Sequence, residues 1–265
     1  LPIYAEHHPQ RCTGLILRGI FLCRKSEIDW FLYDLKNIFP EAWHAFSGYI
    51  PEAERGDLLR AAPGIPAEAR IALYHGGFSP HRGLEELGRA ILEPGMEDVH
   101  AVYLGYGSLR GWLDAEARNP RYGGRFHLLD AVPPHELVPW VASADVVAMP
   151  IQPSTLNHRL TTPNKLFEAM AAGVPVVASD LPGMAAIVRE TGCGLLVDPT
   201  DPVAIAATLR AVLDASPEER RGWRERSRAA ARGTYGWKHQ LGILLEEYGR
   251  RSEEHTSELQ SPYVI

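Results

Sequence analysis

A lysine and a glutamate three residues apart, Lys165 and Glu168, sit in the stretch "TPNKLFEAMAAGVPVVASD" (162–180). Its opening reads as a helix start, because Thr162 is a suitable N-cap and Pro163 is tolerated at the first helical position. Lys165 then falls in the first turn, where the helix dipole already supplies partial positive charge and favours carboxylates. Two readings compete. The pair can be a solvated surface contact worth about 0.2–0.5 kcal/mol. Alternatively, a cation beside unsatisfied helix amides makes an anion site, and a carboxylate one turn further in suits a diol. A nucleoside diphosphate offers both groups, its diphosphate to Lys165 and its ribose hydroxyls to Glu168. Thr162 and Asn164, at the helix opening, belong to the same candidate set. Leu166, Phe167 and Met170 form the core-facing stripe, and Ala169 and Ala172 share the charged face, where small side chains let a ligand come close.

The turn "GGFSPHRG" (76–83) supplies a second cation. Gly76 and Gly77 permit close backbone approach, and Arg82, where a helix starts, suits bidentate contact with phosphate. Gly105 in "GYG" (105–107) and Val132 in "DAVPPHEL" (130–137) end two further strands. The latter turn could seat a base against its backbone or be a plain connection. His75, His127 and His158 show no ligand spacing and read as structural or surface residues. No metal site is expected.

The elements that must position these residues alternate. From about Arg70, strands "IALYHGG" (71–77), "VHAVYLGYG" (99–107), "RFHLLDAV" (125–132), "DVVAMP" (145–150), "VPVVASD" (174–180) and "GLLVDP" (194–199) are separated by amphipathic stretches. Helices are expected around 82–92, 109–118, 135–144, 202–214, 217–232 and 237–249, with a polar loop after the fourth strand. Val/Ile/Leu-rich strands in β-then-α order indicate a parallel sheet covered on both faces, an α/β, doubly wound, Rossmann-like fold. Ligands of such sheets bind beyond the carboxyl ends of the strands. A net charge of −6 over 265 residues argues against a nucleic-acid partner. No apolar run reaches the roughly 20 residues of a transmembrane helix. Cys12, Cys23 and Cys193 read as thiols in a reducing compartment, and a cytoplasmic location is expected. The opening "LPIYAEHHPQ" has no signal-peptide pattern and reads as a fragment.

Three resemblances divide the chain. Residues 1–62, through "AEHHPQR", "LRGIFL", "SEIDWF", "FPEAWHAF" and "IPEAERGDLL", resemble a segment of proline iminopeptidases, α/β-hydrolase peptidases. The nucleophile elbow of that family and its Asp and His have no counterpart here, so no peptidase activity is expected. Residues 251–265 read as a structureless tail, and "RSEEHTSELQS" resembles a translated sequencing adapter. Together these imply a chimera joined near residue 60. Residues 63–250, through "GGFSPHRGLEEL", "VYLGYG", "FHLLDAVPPHELVPWVASADVVAMP" and "TPNKLFEAMAAGVPVVASDLPGMAAIVRETGCGLLVDPTDPVAIAATL", resemble the C-terminal, nucleotide-sugar-binding domain of family 4-like (group 1) GT-B glycosyltransferases.

That last resemblance implies transfer of a sugar from a nucleotide diphosphate sugar to an unidentified acceptor (glycan, lipid or small molecule), with retention and with neither bound metal nor cofactor. Arg82 and Lys165 become the groups that stabilise the leaving diphosphate. Glu168 holds the ribose, and Asn164, Thr162, Gly76, Gly77, Gly105 and Val132 complete the donor site. The first glutamate of the family's Glu-x7-Glu pattern is replaced by Leu160, and the basic residue often found after the first strand's glycine is replaced by Gly77. The acceptor-binding domain is missing, so donor binding with negligible transfer is expected. The competing functions are an iminopeptidase-type hydrolase fragment and a non-catalytic nucleotide-binding module. The basic helix "EERRGWRERSRAAAR" (218–232) has either a solvated face or a peripheral membrane contact.

Overall fold

The structure, a computed structural model, describes residues 57–61 and 63–259, with side chains through residue 248. The chain divides into two compact units, and the described residues all belong to the second, Ala53–Ile265. Cys12, Cys23 and nearly all of the iminopeptidase-like segment lie outside the described residues, as do residues 260–265.

A short helix α1 (Leu58–Ala61) precedes strand β1 (Arg70–Gly77), helix α2 (Leu84–Ala90), β2 (Val99–Tyr106), α3 (Arg110–Ala117), β3 (Phe126–Asp130), α4 (Pro134–Ala142) and β4 (Val146–Met149). There follow α5 (Leu156–Leu160), α6 (Asn164–Ala172), β5 (Val176–Ser179), α7 (Pro182–Thr191), β6 (Gly194–Val197), α8 (Pro202–Leu213), α9 (Pro217–Arg232) and α10 (Trp237–Leu259). The six strands form one parallel sheet in the order β3-β2-β1-β4-β5-β6. This is the doubly wound arrangement expected from the β/α alternation.

Period-two alternation divides the strands between two cores. Ile71, Leu73, Val102, Leu104, Val147, Met149, Val176 and Ala178 face α4, α6 and α7 through Val141, Leu166, Met170, Met184 and Ile187. Ala72, Tyr74, Ala101, Tyr103, Val146, Ala148 and Val177 face α2, α3 and α8 through Leu84, Leu87, Leu113, Ile205 and Leu209. Each such fully buried aliphatic side chain contributes about 1.5–3 kcal/mol relative to exposure. Leu59 of α1, inside the iminopeptidase-like stretch, is buried in the first of these cores, so residues from Asp57 onward pack with the sheet domain.

Several elements depart from the sequence expectation. The polar loop after β4 holds α5, whose N-cap Thr155 accepts a hydrogen bond from the His158 amide at 3.1 Å. Helix α7 follows β5 and ends at Thr191; the sequence pattern marked its exit, at "RETGCG" (189–194), but not its start. Pro139 does lie inside a short helix, nine-residue α4, as the sequence around 135–144 implies. Helix α10 runs to Leu259, past its expected end at 249, and its added residues Arg250–Leu259 contain no Pro or Gly to stop propagation. Arg226 and Arg228 of α9 stay exposed, as a solvated face implies, while Arg228 also donates to the Ala172 carbonyl and Arg226 to the Gly192 carbonyl, at the C-terminal ends of α6 and α7. Among the described residues no helix is long and apolar enough to cross a membrane.

Candidate functional site

In a sheet ordered 3-2-1-4-5-6 the connections reverse direction between β1 and β4, and a crevice opens beyond their carboxyl ends. Gly76 and Gly77 end β1 at that edge, and α6 begins beside it. Gly76 has a left-handed φ of 108°, and a Cβ there would lie 3.7 Å from Lys165 Cε. Gly105, its register partner on β2, approaches so closely that a Cβ would come within 2.0 Å of the Gly76 carbonyl oxygen. A Cβ on Gly77 would meet nothing within 4 Å. The glycines therefore do different jobs: Gly105 lets the Gly76 backbone close up on it, Gly76 takes the left-handed turn beside Lys165, and Gly77 leaves open floor.

The opening of α6 differs from expectation. Pro163, not Thr162, is the N-cap residue, with an extended ψ of 145° that keeps it outside the helix, and no side chain caps the end. Thr162 and Asn164 are exposed. Lys165 remains in the first turn but not on a solvated face. It is 8% exposed, and its Nζ has no hydrogen-bond partner. The ammonium lies 3.4 Å from the centroid of the Tyr74 ring, whose π face offsets part of the cost of burial. Burial, followed by the charge of Arg82, holds the Lys165 pKa well below its ordinary value, with Glu168 opposing. Ala169 and Ala172, expected beside the ligand, are in the core instead. Helix α6 packs against α4 and α9 as well as the sheet, so more of its circumference is covered than a surface helix would show.

Arg82 is half-buried in the turn before α2, after His81, a non-glycine residue with φ 63°. It forms no hydrogen bond or ion pair among the described residues, and its charge also depresses the pKa of His158 after burial. His158 Nδ1 lies 2.7 Å from Ser154 Oγ, and its ring centroid is 6.4 Å from that of His81. Glu168 is held by His75, whose Nε2 lies 2.9 Å from Glu168 Oε2. His75 is 1% exposed, and burial pushes its pKa below the ordinary histidine value, with Lys165 adding to the shift and Glu168 opposing it.

The structure thus gathers Lys165, Arg82, Glu168 and Gly76 at one crevice. Gly105 ends the next strand, and Val132 lies one strand further out, half-buried against the core. Leu160, in the position of the absent glutamate, is 56% exposed on α5. Sequence reasoning missed His75 as the partner of Glu168, and His158 and His81 beside Arg82. The signal for His75 was slight: a polar residue continuing the buried series Ile71, Leu73. Among the described residues no cluster of three His, Cys, Asp or Glu side chains could hold a metal ion.

The comparisons with known proteins bear on the family and the fold. A family model described as "Glycosyl transferases group 1" matches residues 69–215. The chain is 33% identical over 214 residues to a D-inositol 3-phosphate glycosyltransferase of Xylanimonas cellulosilytica, covering 78% of this chain and 49% of the relative. It therefore spans about half the length of that relative. An N-terminal segment matches the proline iminopeptidase of Arabidopsis thaliana at 54% identity over 57 residues, 21% of this chain and 15% of that protein. Among solved structures, sucrose-phosphate synthase from Thermosynechococcus elongatus superposes with a TM-score of 0.60 at 25% identity, covering 77% of this chain and 50% of that one. Anabaena HepE, solved with UDP and glucose, gives 0.57 at 20% identity over 75% of this chain and 54% of its own.

Proposed function

The chain belongs to the group 1 glycosyl transferases, and from that premise we propose that its sheet domain binds a nucleotide diphosphate sugar in the β1–β4 crevice and serves as the donor half of a sugar-transfer site. One observation carries the reading: Lys165 Nζ is buried without a hydrogen-bond partner at the strand-order reversal. A buried cation without an anionic partner costs several kcal/mol, which the Tyr74 ring offsets in part and a bound anion would offset further.

In this reading Arg82 and Lys165 stabilise the charge that develops on the departing diphosphate, the task a metal ion performs elsewhere. The uncapped amides of Asn164 and Lys165 add donors at the positive end of α6. Glu168 accepts from the ribose diol, Gly76, Gly77 and Gly105 admit the ligand to the backbone, and the backbone at Val132 seats the base. Transfer proceeds with retention and without metal or cofactor. The groups gathered here form one wall of a crevice, so the proposal extends to donor binding with negligible transfer by this chain alone.

Titration calorimetry with ADP, GDP and UDP tests this, UDP first because a fold neighbour is solved with it. At least one should bind, with no change in EDTA, and Lys165→Ala should weaken it about 10-fold or more, as loss of a charged hydrogen bond does. A solvated pair would lose almost nothing. No binding by any of the three would overturn the reading.

A further inference from the structure

His75 makes a demand the core does not require. On the same face of β1 its predecessors are Ile71 and Leu73, both in the core that α6 covers. A third aliphatic residue would fill that place at no polar cost. Instead an imidazole is 1% exposed, with Nε2 engaged by Glu168 and Nδ1 buried without a partner. A buried polar atom left unpaired costs about 1–3 kcal/mol. The local compensation is the single contact with Glu168.

That contact has a consequence for the charges around it. Lys165 and Glu168 are separated by one turn of α6 and are of opposite sign, the arrangement in which helix side chains pair. They do not pair here: Lys165 Nζ has no hydrogen-bond partner, while Glu168 turns to His75 at 2.9 Å. A neutral imidazole can donate Nε2–H to the carboxylate without cancelling its charge. The other carboxylate oxygen stays available in a side chain that is 31% exposed, and Lys165 stays available for an anion.

We propose that His75 is a positioning residue that holds Glu168 away from Lys165 and fixes its carboxylate to receive the ribose diol, so that it sets the preference for ribonucleotides over 2′-deoxyribonucleotides. This rests on the donor-site reading above. It adds a sugar selectivity in the nucleoside half of the ligand and assigns it to a residue that does not itself touch the ligand.

The geometry of the imidazole supplies the test. A glutamine amide reaches about as far as Nε2, an asparagine amide only as far as Nδ1. The dissociation constants of UDP and 2′-deoxy-UDP (or the ADP or GDP pair, if that base binds tighter) are measured on the full chain, wild type, His75→Gln, His75→Asn, His75→Phe and Glu168→Ala. Wild type should prefer the ribonucleotide about 10-fold or more, in keeping with a hydrogen bond to a charged acceptor. His75→Gln should keep that ratio within about threefold, while His75→Asn and His75→Phe should bring it toward one, as Glu168→Ala does. Melting temperatures identify variants that do not fold, and the Gln/Asn contrast decides the matter if the phenylalanine variant is among them.

A ratio lost in Glu168→Ala but kept in His75→Asn overturns the positioning role and leaves the donor site standing. Equal weakening of both nucleotides, tracking a fall in melting temperature, shows a structural histidine and also overturns it. Wild-type binding with a ratio near one removes the ribose contact, and no nucleotide binding at all removes the donor site with it.

Discussion

Two sets of cations at opposite ends of the sheet are partnered differently. At the amino ends of the strands, Asp145 accepts from Arg60 and from the Ile71 amide, each at 2.8 Å, and Arg60 also donates to Asp57 and to the Ala69 carbonyl. Arg125 donates to the carbonyls of Ile91, Met96 and Val99, and Arg210 pairs with Asp98 at 2.7 Å. Of these arginines, Arg60 and Arg210 each leave a buried Nε without a partner among the described residues. At the carboxyl ends, Arg110 pairs with Asp130 and Arg189 with Asp180, each at 2.6 Å, but Lys165 and Arg82 form no ion pair among the described residues, and Lys165 is the more deeply buried of the two. Arg60, Arg125 and Arg210 hold the fold together, whereas Lys165 and Arg82 have no such bracing role. The same residue chemistry should therefore give opposite mutational results at the two edges.

The largest effect is expected at the braced edge. Asp145→Ala strips an acceptor from Arg60 and from a buried strand amide, and chemical denaturation should show a loss of about 2–4 kcal/mol. Nucleotide affinity of the folded fraction should change less than about twofold, since Asp145 shares no partner with the residues of the crevice and such sites behave additively. Lys165→Met is the converse. It replaces an unpaired buried cation with an apolar chain of similar length, so stability should stay level or rise by about 1–2 kcal/mol, while nucleotide binding falls about 10-fold or more. A Lys165→Met protein that is markedly less stable would erase the contrast, because Lys165 would then be bracing the fold as Arg60 does.

A smaller effect tests the same contrast through protons. Burial and Arg82 depress the Lys165 pKa, so the unfolded chain binds more protons than the folded one below the ordinary lysine range. The stability deficit from Lys165 should shrink as pH rises toward that range, by comparison with Lys165→Met. A bound diphosphate reverses the shift, so binding draws in a proton and affinity should fall as pH rises through the interval between the two values. Above about pH 7.5 the phosphate's own ionisation, near 6, does not interfere. Calorimetry in buffers of different ionisation enthalpy should show uptake of up to about one proton, absent in Lys165→Met. Uptake that persists in that variant would assign the proton elsewhere.

Much of this architecture was legible in the sequence because it follows from local pattern. Apolar runs of strand length, each followed by helical spacing, fixed the parallel sheet and put the glycine turn of Gly76 and Gly77 at a strand's carboxyl end. Lys165 stood out because it opposes the helix dipole. What stayed hidden depends on which faces meet. The helical wheel put Ala169 and Ala172 beside the ligand, but α4 and α9 cover that side of α6. His75 lies 93 positions from Glu168, and nothing local connects them. Arg226 and Arg228 of α9 are exposed as expected, but their carbonyl partners, Gly192 and Ala172, could not be read locally because they belong to other helices. Helix α5 was passed over as polar loop, since five residues carry too little periodicity to register.

The smallest expected effect concerns how helices begin. Asp201 caps α8 by accepting from the Val203 amide at 2.9 Å, and Ser216 and Glu219 form a capping box at α9. Helix α6 has no such cap, although Thr162 stands close enough in sequence to suggest one. Asp201→Ala should cost about 1 kcal/mol, the usual value of a side-chain cap. Thr162→Ala, by the sequence expectation, should cost as much. With Pro163 as the N-cap residue and Thr162 exposed, it should instead stay within about 0.3 kcal/mol of wild type. A loss near 1 kcal/mol would mean that Thr162 does satisfy the first amides of α6. Those amides would then be occupied, as they are at α8, and Lys165 would have to hold an anion without their help.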